Sequence, residues 1–145
     1  MRPQTWQAMD EMFREDPVLR AGEVPYEEID AAAAQAGFQL GSDYREFVHR
    51  YGGGIVGPYR VYGLRRAPAM GRKEGSVFDI TRDFIRQRWP GVNDWLVIST
   101  DHAGNPVGLD KDGKMWISDH DAGVVEVIAN SFEDYLRKRC LNMAD

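Results

Sequence analysis

The chain changes period along its length. Up to Pro90-Gly91 its apolar residues recur mainly every three or four positions, whereas beyond that point they gather into short β-rich runs. Helices first and clustered strands afterwards predict an α+β domain with a central, mostly antiparallel sheet. N-terminal helices, one mid-chain helix and a C-terminal helix are expected to flank it. At 145 residues the whole chain, 1–145, is expected to be one domain, long enough to bury a self-sufficient core.

The helical half divides at its own punctuation. Trp6, Met9 and Phe13 fall on one face and the pattern stops at Asp16-Pro17, because the residue before a proline is pushed out of the α region. A second helix is predicted from Pro25, as its first residue, to Gly37, with an acidic first turn that suits the helix dipole. A third is predicted from a Ser42 N-cap to Gly52-Gly53-Gly54, burying Tyr44, Phe47, Val48 and Tyr51. The three glycines permit close backbone approach; they lack the following Lys-Ser or Lys-Thr of a phosphate-binding loop. Residues 59–64 alternate as a strand, and 65–75 are the best candidate for a mobile surface loop. Ser76 opens a helix whose inner face takes Val77, Ile80, Phe84, Ile85 and the stem of Arg88.

Strands are predicted at 95–99, 106–109, 115–118 and 124–128. Asp112-Gly113 is a hairpin signal, which makes the second and third antiparallel neighbours. Ser131 with Asp134 three residues on starts the last helix, lined by Phe132, Tyr135, Leu136 and Cys140. Arg137-Lys138-Arg139 is read as complementing its C-terminal dipole. The four tryptophans are read as core or edge-of-core residues.

Charge is segregated beneath a formal net charge of −5. Residues 1–30 are acidic, 60–88 basic and 101–126 acidic again. Such blocks either pair with each other or face different partners, and the acidic balance argues against direct nucleic-acid binding. The lone Cys140 makes no internal bridge, lacks a context that would activate it, and fits a reducing compartment. The longest uncharged run, Ala31 to Ser42, is far short of a membrane span, and the first residues show no apolar signal core. A cytoplasmic location without membrane association is therefore expected.

The richest polar cluster is Asp101-His102-Ala103-Gly104-Asn105 with Asp110, Asp112 and Asp119-His120-Asp121. If 106–109 and 115–118 form a hairpin, its open end gathers Asp101, His102, Asn105, Asp119, His120 and Asp121. Histidines and carboxylates so placed can ligate a metal or act as a general base. Asp, Asn and Gly equally build turns through side-chain to backbone hydrogen bonds, and the spacing matches neither a zinc helix nor a calcium loop. Turn chemistry is the preferred reading, followed by a partner-binding surface and then a metal-binding enzyme using Asp101, His102, Asp119 and His120. His49 is read as a packed or surface residue, and no cofactor or metal is assigned.

The order of segments resembles the SUKH superfamily, which includes the Smi/Knr cell-wall-assembly regulators. The resemblance is carried by Ser42 to Val48, Tyr51-Gly52-Gly53-Gly54, Trp95 to Ser99, the stretch from Asp101 to His120, and Ser131 to Leu136. It covers about residues 40–138 and matches the family's recurring positions at Asp101, Gly104, Asn105, Asp110, Trp116 and His120, which shape turns and the sheet. His102 where glycine is common, and Pro106-Val107 in place of aromatic residues, depart from the pattern. The resemblance implies an α+β fold and a non-enzymatic binding role, as in bacterial immunity proteins that neutralise a cognate polymorphic or contact-dependent toxin, often a nuclease. The alternative it implies is a regulatory scaffold. Two acidic sets are candidate toxin contacts: Glu23, Glu27, Glu28 and Asp30, or Asp119 and Asp121 at the hairpin end.

Overall fold

The computed structural model of the chain describes residues 1–71 and 75–144. Helix α1 (Pro3–Glu15) begins with proline at a position whose N–H would be free in any helix, and it buries Thr5, Trp6, Met9 and Phe13. Helix α2 (Tyr26–Ala36) buries Ile29 and Ala33 and ends at Gly37, whose φ of +81° closes the last turn. Helix α3 (Ser42–Tyr51) buries Tyr44, Phe47, Val48 and Tyr51. Pro25 and Gly41 are the N-caps, so α2 and α3 differ from expectation by one residue at that end. Neither cap makes a side-chain hydrogen bond.

The glycines after α3 are where chains meet. A Cβ on Gly52 would stand 2.0 Å from the Gly22 carbonyl oxygen, one on Gly53 2.8 Å from that of Arg65, and one on Gly54 2.7 Å from that of Leu19. The sequence expectation of close backbone approach is met. Two short strands follow, β1 (Gly54–Val56) and β2 (Tyr59–Val61), joined through Gly57-Pro58. The predicted single strand at 59–64 is thus a shorter one paired to a neighbour that periodicity did not reveal, since three residues carry too little pattern. In the expected surface loop at 65–75, residues 72–74 lie outside the described residues. Pro68–Met70 forms a 3₁₀ turn that buries Met70 beside the buried Ala67.

Helix α4 (Val77–Arg86) starts with a capping box: the Ser76 hydroxyl accepts from the Asp79 N–H, and the Asp79 carboxylate accepts from the Ser76 N–H. The helix stops before Arg88, which is exposed and turned into the left-handed region with φ 61°; its stem is not part of the buried face. Four strands complete the sheet: β3 (Leu96–Thr100), β4 (Pro106–Leu109), β5 (Met115–Asp119) and β6 (Val124–Ala129). Their order is β1-β2-β3-β4-β5-β6 and every pair is antiparallel. The expected hairpin pairs Val107 with Ile117 and Leu109 with Met115. Helix α5 begins at Phe132–Asp134 under a Ser131 cap and continues as a π-helical stretch, Tyr135–Cys140.

One face of the sheet carries the main core, where Trp6, Phe13, Tyr44, Phe47, Phe132 and Leu136 of α1, α3 and α5 pack with Val61, Ile98, Val107 and Met115. On the other face Val92, Trp95 and Val97 pack with Ile80, Phe84 and Ile85 of α4, together with Trp89 and Trp116. β3 is therefore buried on both sides, and Val97 through Ser99 are fully inaccessible. Thr81 fastens α4 to it: its hydroxyl donates to the Val77 carbonyl and accepts from the Val97 N–H at 2.8 Å, beside an irregularity in the β3–β4 register.

Arg137 corrects the reading of the last basic run. It is buried, donating to the Thr5 hydroxyl at 3.0 Å and to the Ala144 carbonyl at 2.6 Å, and Thr5 in turn donates to Glu133. The guanidinium ties α1 and the C-terminal segment to α5 rather than capping a dipole in solvent, since one partner, Thr5, comes from the far end of the chain and the other, the Ala144 carbonyl, from beyond the helix.

Candidate functional site

The open end of the β4–β5 hairpin collects part of the predicted polar cluster. Asp101 Oδ1 accepts from the N–H groups of Ala103 and Asn105, both at 2.9 Å, while Oδ2 accepts from Asn105 Nδ2. Gly104 supplies the turn's φ of +83°. Asn105, 1% exposed, crosses to the far side of the hairpin, where its Oδ1 accepts from the His120 N–H at 3.2 Å and bonds His120 Nδ1. Asp119 Oδ1 accepts from the N–H groups of Asp121 and Ala122. His120 also lies 3.2 Å from Asp121 and edge-on to Trp89. His102 is not in this group: it turns to the β1–β2 corner, with Nε2 3.1 Å from the Pro58 carbonyl and its ring against Tyr59.

At the hairpin tip Asp110 repeats the device. Its Oδ1 accepts from the N–H groups of Asp112 and Lys114, and its Oδ2 from the Trp116 indole at 2.8 Å. Partial burial opposes ionisation, but the indole and the two backbone N–H groups outweigh it and hold the Asp110 carboxyl below its ordinary range. One carboxylate oxygen of each of Asp101, Asp110 and Asp119 therefore accepts from the N–H groups of its own turn, which is the turn chemistry preferred from the sequence. Among the described residues no group of three or more His, Cys, Asp or Glu side chains is arranged to hold a metal ion.

The N-terminal acids differ in how firmly they are held. Arg65 grips Glu28 through two hydrogen bonds of 2.6 and 2.8 Å, and Arg45 grips Asp30 through two of 2.8 Å while stacking on Tyr26. These hydrogen bonds to arginine lower the carboxyl pKa values of both Glu28 and Asp30. Glu23 is exposed and 3.6 Å from Arg20, and Glu27 is exposed. The basic block thus meets the acidic one directly through Arg65 and Glu28.

Other reactive residues are occupied. The Ser99 hydroxyl is buried between the Arg60 carbonyl and the Tyr135 hydroxyl. Burial pushes the Cys140 thiol up to about 12, although Tyr135 and Arg139 oppose the shift. His49 packs on Tyr26 with Nδ1 2.8 Å from the Val24 carbonyl.

What sequence reasoning passed over is the far edge of the sheet. β6 is the last strand, and Val124, Val125 and Val127 are 41%, 38% and 40% exposed. Val125 and Val127 pair across to Ser118 and Trp116, which puts them on the face that carries the tryptophans. There Trp95 and Trp116 stack at 6.0 Å and 21°, beside a cavity of about 480 Å³. A run such as Val124 to Ile128, with a single charge, gives no sign of whether it will be central or marginal.

The family model described as SMI1 / KNR4 family (SUKH-1) matches residues 24–138. The chain belongs to that family. The match takes in α2 as well as the segments from residue 40 onward, and it leaves α1 outside. A SUKH-1 domain here therefore draws Trp6, Met9 and Phe13 into its core from a helix beyond the matched segment. No curated protein matches the chain. Among the described residues no helix is long and apolar enough to cross a membrane.

Proposed function

We propose that this SUKH-1 chain is an immunity protein, a non-enzymatic binding domain that neutralises a cognate toxin in the cytoplasm. The observation that carries the reading is the unflanked apolar edge at β6, with three half-exposed valines on one strand. An uncovered strand of this kind is a template for pairing with another chain. The polar cluster supports binding over catalysis, because Asp101, Asp110 and Asp119 accept from the N–H groups of their own turns and His120 is held by Asn105 and Asp121.

Of the two acidic sets, the hairpin end is the better contact surface. Asp119 and Asp121 belong to the turn that leads into β6, whereas Glu28 and Asp30 are already held by arginines. A toxin that acts on nucleic acid carries a basic surface, and complementary charge raises both the encounter rate and the specificity. Producing the chain together with the toxin domain encoded beside it should restore growth and give an isolable complex. Asp121→Asn combined with Val125→Thr should weaken that complex, whereas Glu23→Gln with Glu27→Gln should not. Persistent toxicity with no complex would overturn the proposal.

A further inference from the structure

We infer that the groove beside β6 receives a lysine or arginine side chain from an extended partner segment that adds to the sheet as a seventh strand. The inference rests on reading the β6 edge as the partner-binding surface, and it names the chemistry that surface selects. Trp95 and Trp116 line the groove, Val125 forms the wall nearest the edge, and Asp94, Asp110, Lys111 and Asp112 stand around it. Three acidic residues stand there against one lysine. The Asp110 carboxylate is committed to Trp116 and the turn, but those of Asp94 and Asp112 take part in no hydrogen bond or ion pair among the described residues.

A strand added to β6 would lie about 4.8 Å outward, with alternate side chains rising on the face of Trp116, Val125 and Val127. A long cationic side chain can lay its methylenes across valine and indole while its head reaches the carboxylates. A cation over an indole face gains further attraction. Neutral side chains forgo the charge, and acidic ones meet like charge. A second copy of this chain is a poorer occupant, since Val124–Ala129 contains no lysine or arginine to place in the groove.

The test uses the full chain, isotope-labelled, titrated at low salt with two capped pentapeptides, Val-Arg-Val-Arg-Val and Val-Gln-Val-Gln-Val. The arginine peptide should shift the Trp95 and Trp116 indole resonances and the 124–128 amides, and bind about tenfold tighter than the glutamine peptide. Asp94→Asn with Asp112→Asn, both exposed positions, should remove that advantage and leave the glutamine peptide's affinity unchanged. Equal affinities, an advantage that survives the double substitution, shifts confined to other surfaces, or self-association through β6 would each overturn the inference. Toxin protection that persists alongside such a failure leaves the immunity reading standing. Arginine-selective binding without protection does the reverse.

Discussion

The sheet has two edges and the chain treats them differently. At β1 the edge is covered: Arg20 bridges to Gly54, the Ala21 N–H donates to the Gly53 carbonyl, and the Pro17–Leu19 turn lies alongside. At β6 no strand of the described residues follows, and valines reach solvent. Glycine makes the first arrangement possible, since the covering segment comes closer to Gly52 and Gly54 than any side chain would permit. The second uses β-branched residues that favour a strand whether or not a neighbour covers them. One edge is closed by the chain's own backbone, and the other stays open among the described residues.

Substitutions separate the two edges by size of effect. Gly52→Ala should be the most damaging, because its Cβ would overlap the Gly22 carbonyl at a φ of +74°. A loss of about 3 kcal/mol in urea unfolding is expected. A loss under roughly 1 kcal/mol would mean that the β1 edge is less tightly closed than its geometry indicates.

Asn105→Ala should come next, at about 1–3 kcal/mol, since it takes the acceptor from the part-buried His120 N–H and the side-chain donor from Asp101 Oδ2, and so separates the hairpin end from the Asp101 turn. The same change should weaken partner binding at β6 through the displaced turn at 119–123. Unaltered amide exchange protection in β5 and β6 would contradict this.

Acid should probe the β6 end through Asp110. Its folded pKa lies below the ordinary carboxyl value of 3.8, so its contribution is present above that value and is lost as pH falls through the folded one. Asp110→Asn should therefore lower the Tm near neutral pH and flatten its decline below about pH 4. Parallel Tm curves for the two proteins would show that Asp110 does not stabilise the tip.

Val125→Thr with Val127→Thr should change stability least, by about 0.5 kcal/mol or less, because both side chains are already partly in water. The pair should nonetheless abolish most toxin binding. A large loss of stability with unchanged binding would turn the comparison around and make β6 a structural strand.

The particular residues explain how far a reading of the chain could go. Trp6, Met9 and Phe13, the Ser76 and Ser131 caps, and Asp112-Gly113 act through neighbours one turn away, so their roles were legible. The turn chemistry of Asp101 and Asp119 was legible for the same reason. Thr81 and Arg137 were not, since a hydroxyl in a helix and a guanidinium in a basic run reveal nothing of a distant N–H or a carbonyl seven residues on.

Sequence alone determined the α+β class, the helix faces, the hairpin and the family resemblance, all of which rest on period, caps and local motifs. Tertiary structure decided that Glu28 and Asp30 are neutralised by arginines, that His102 and His120 lie apart, and that β6 is an open edge. Whether a strand is central or marginal depends on what the rest of the chain stacks beside it. That is a property of the assembled sheet, and no window of residues carries it.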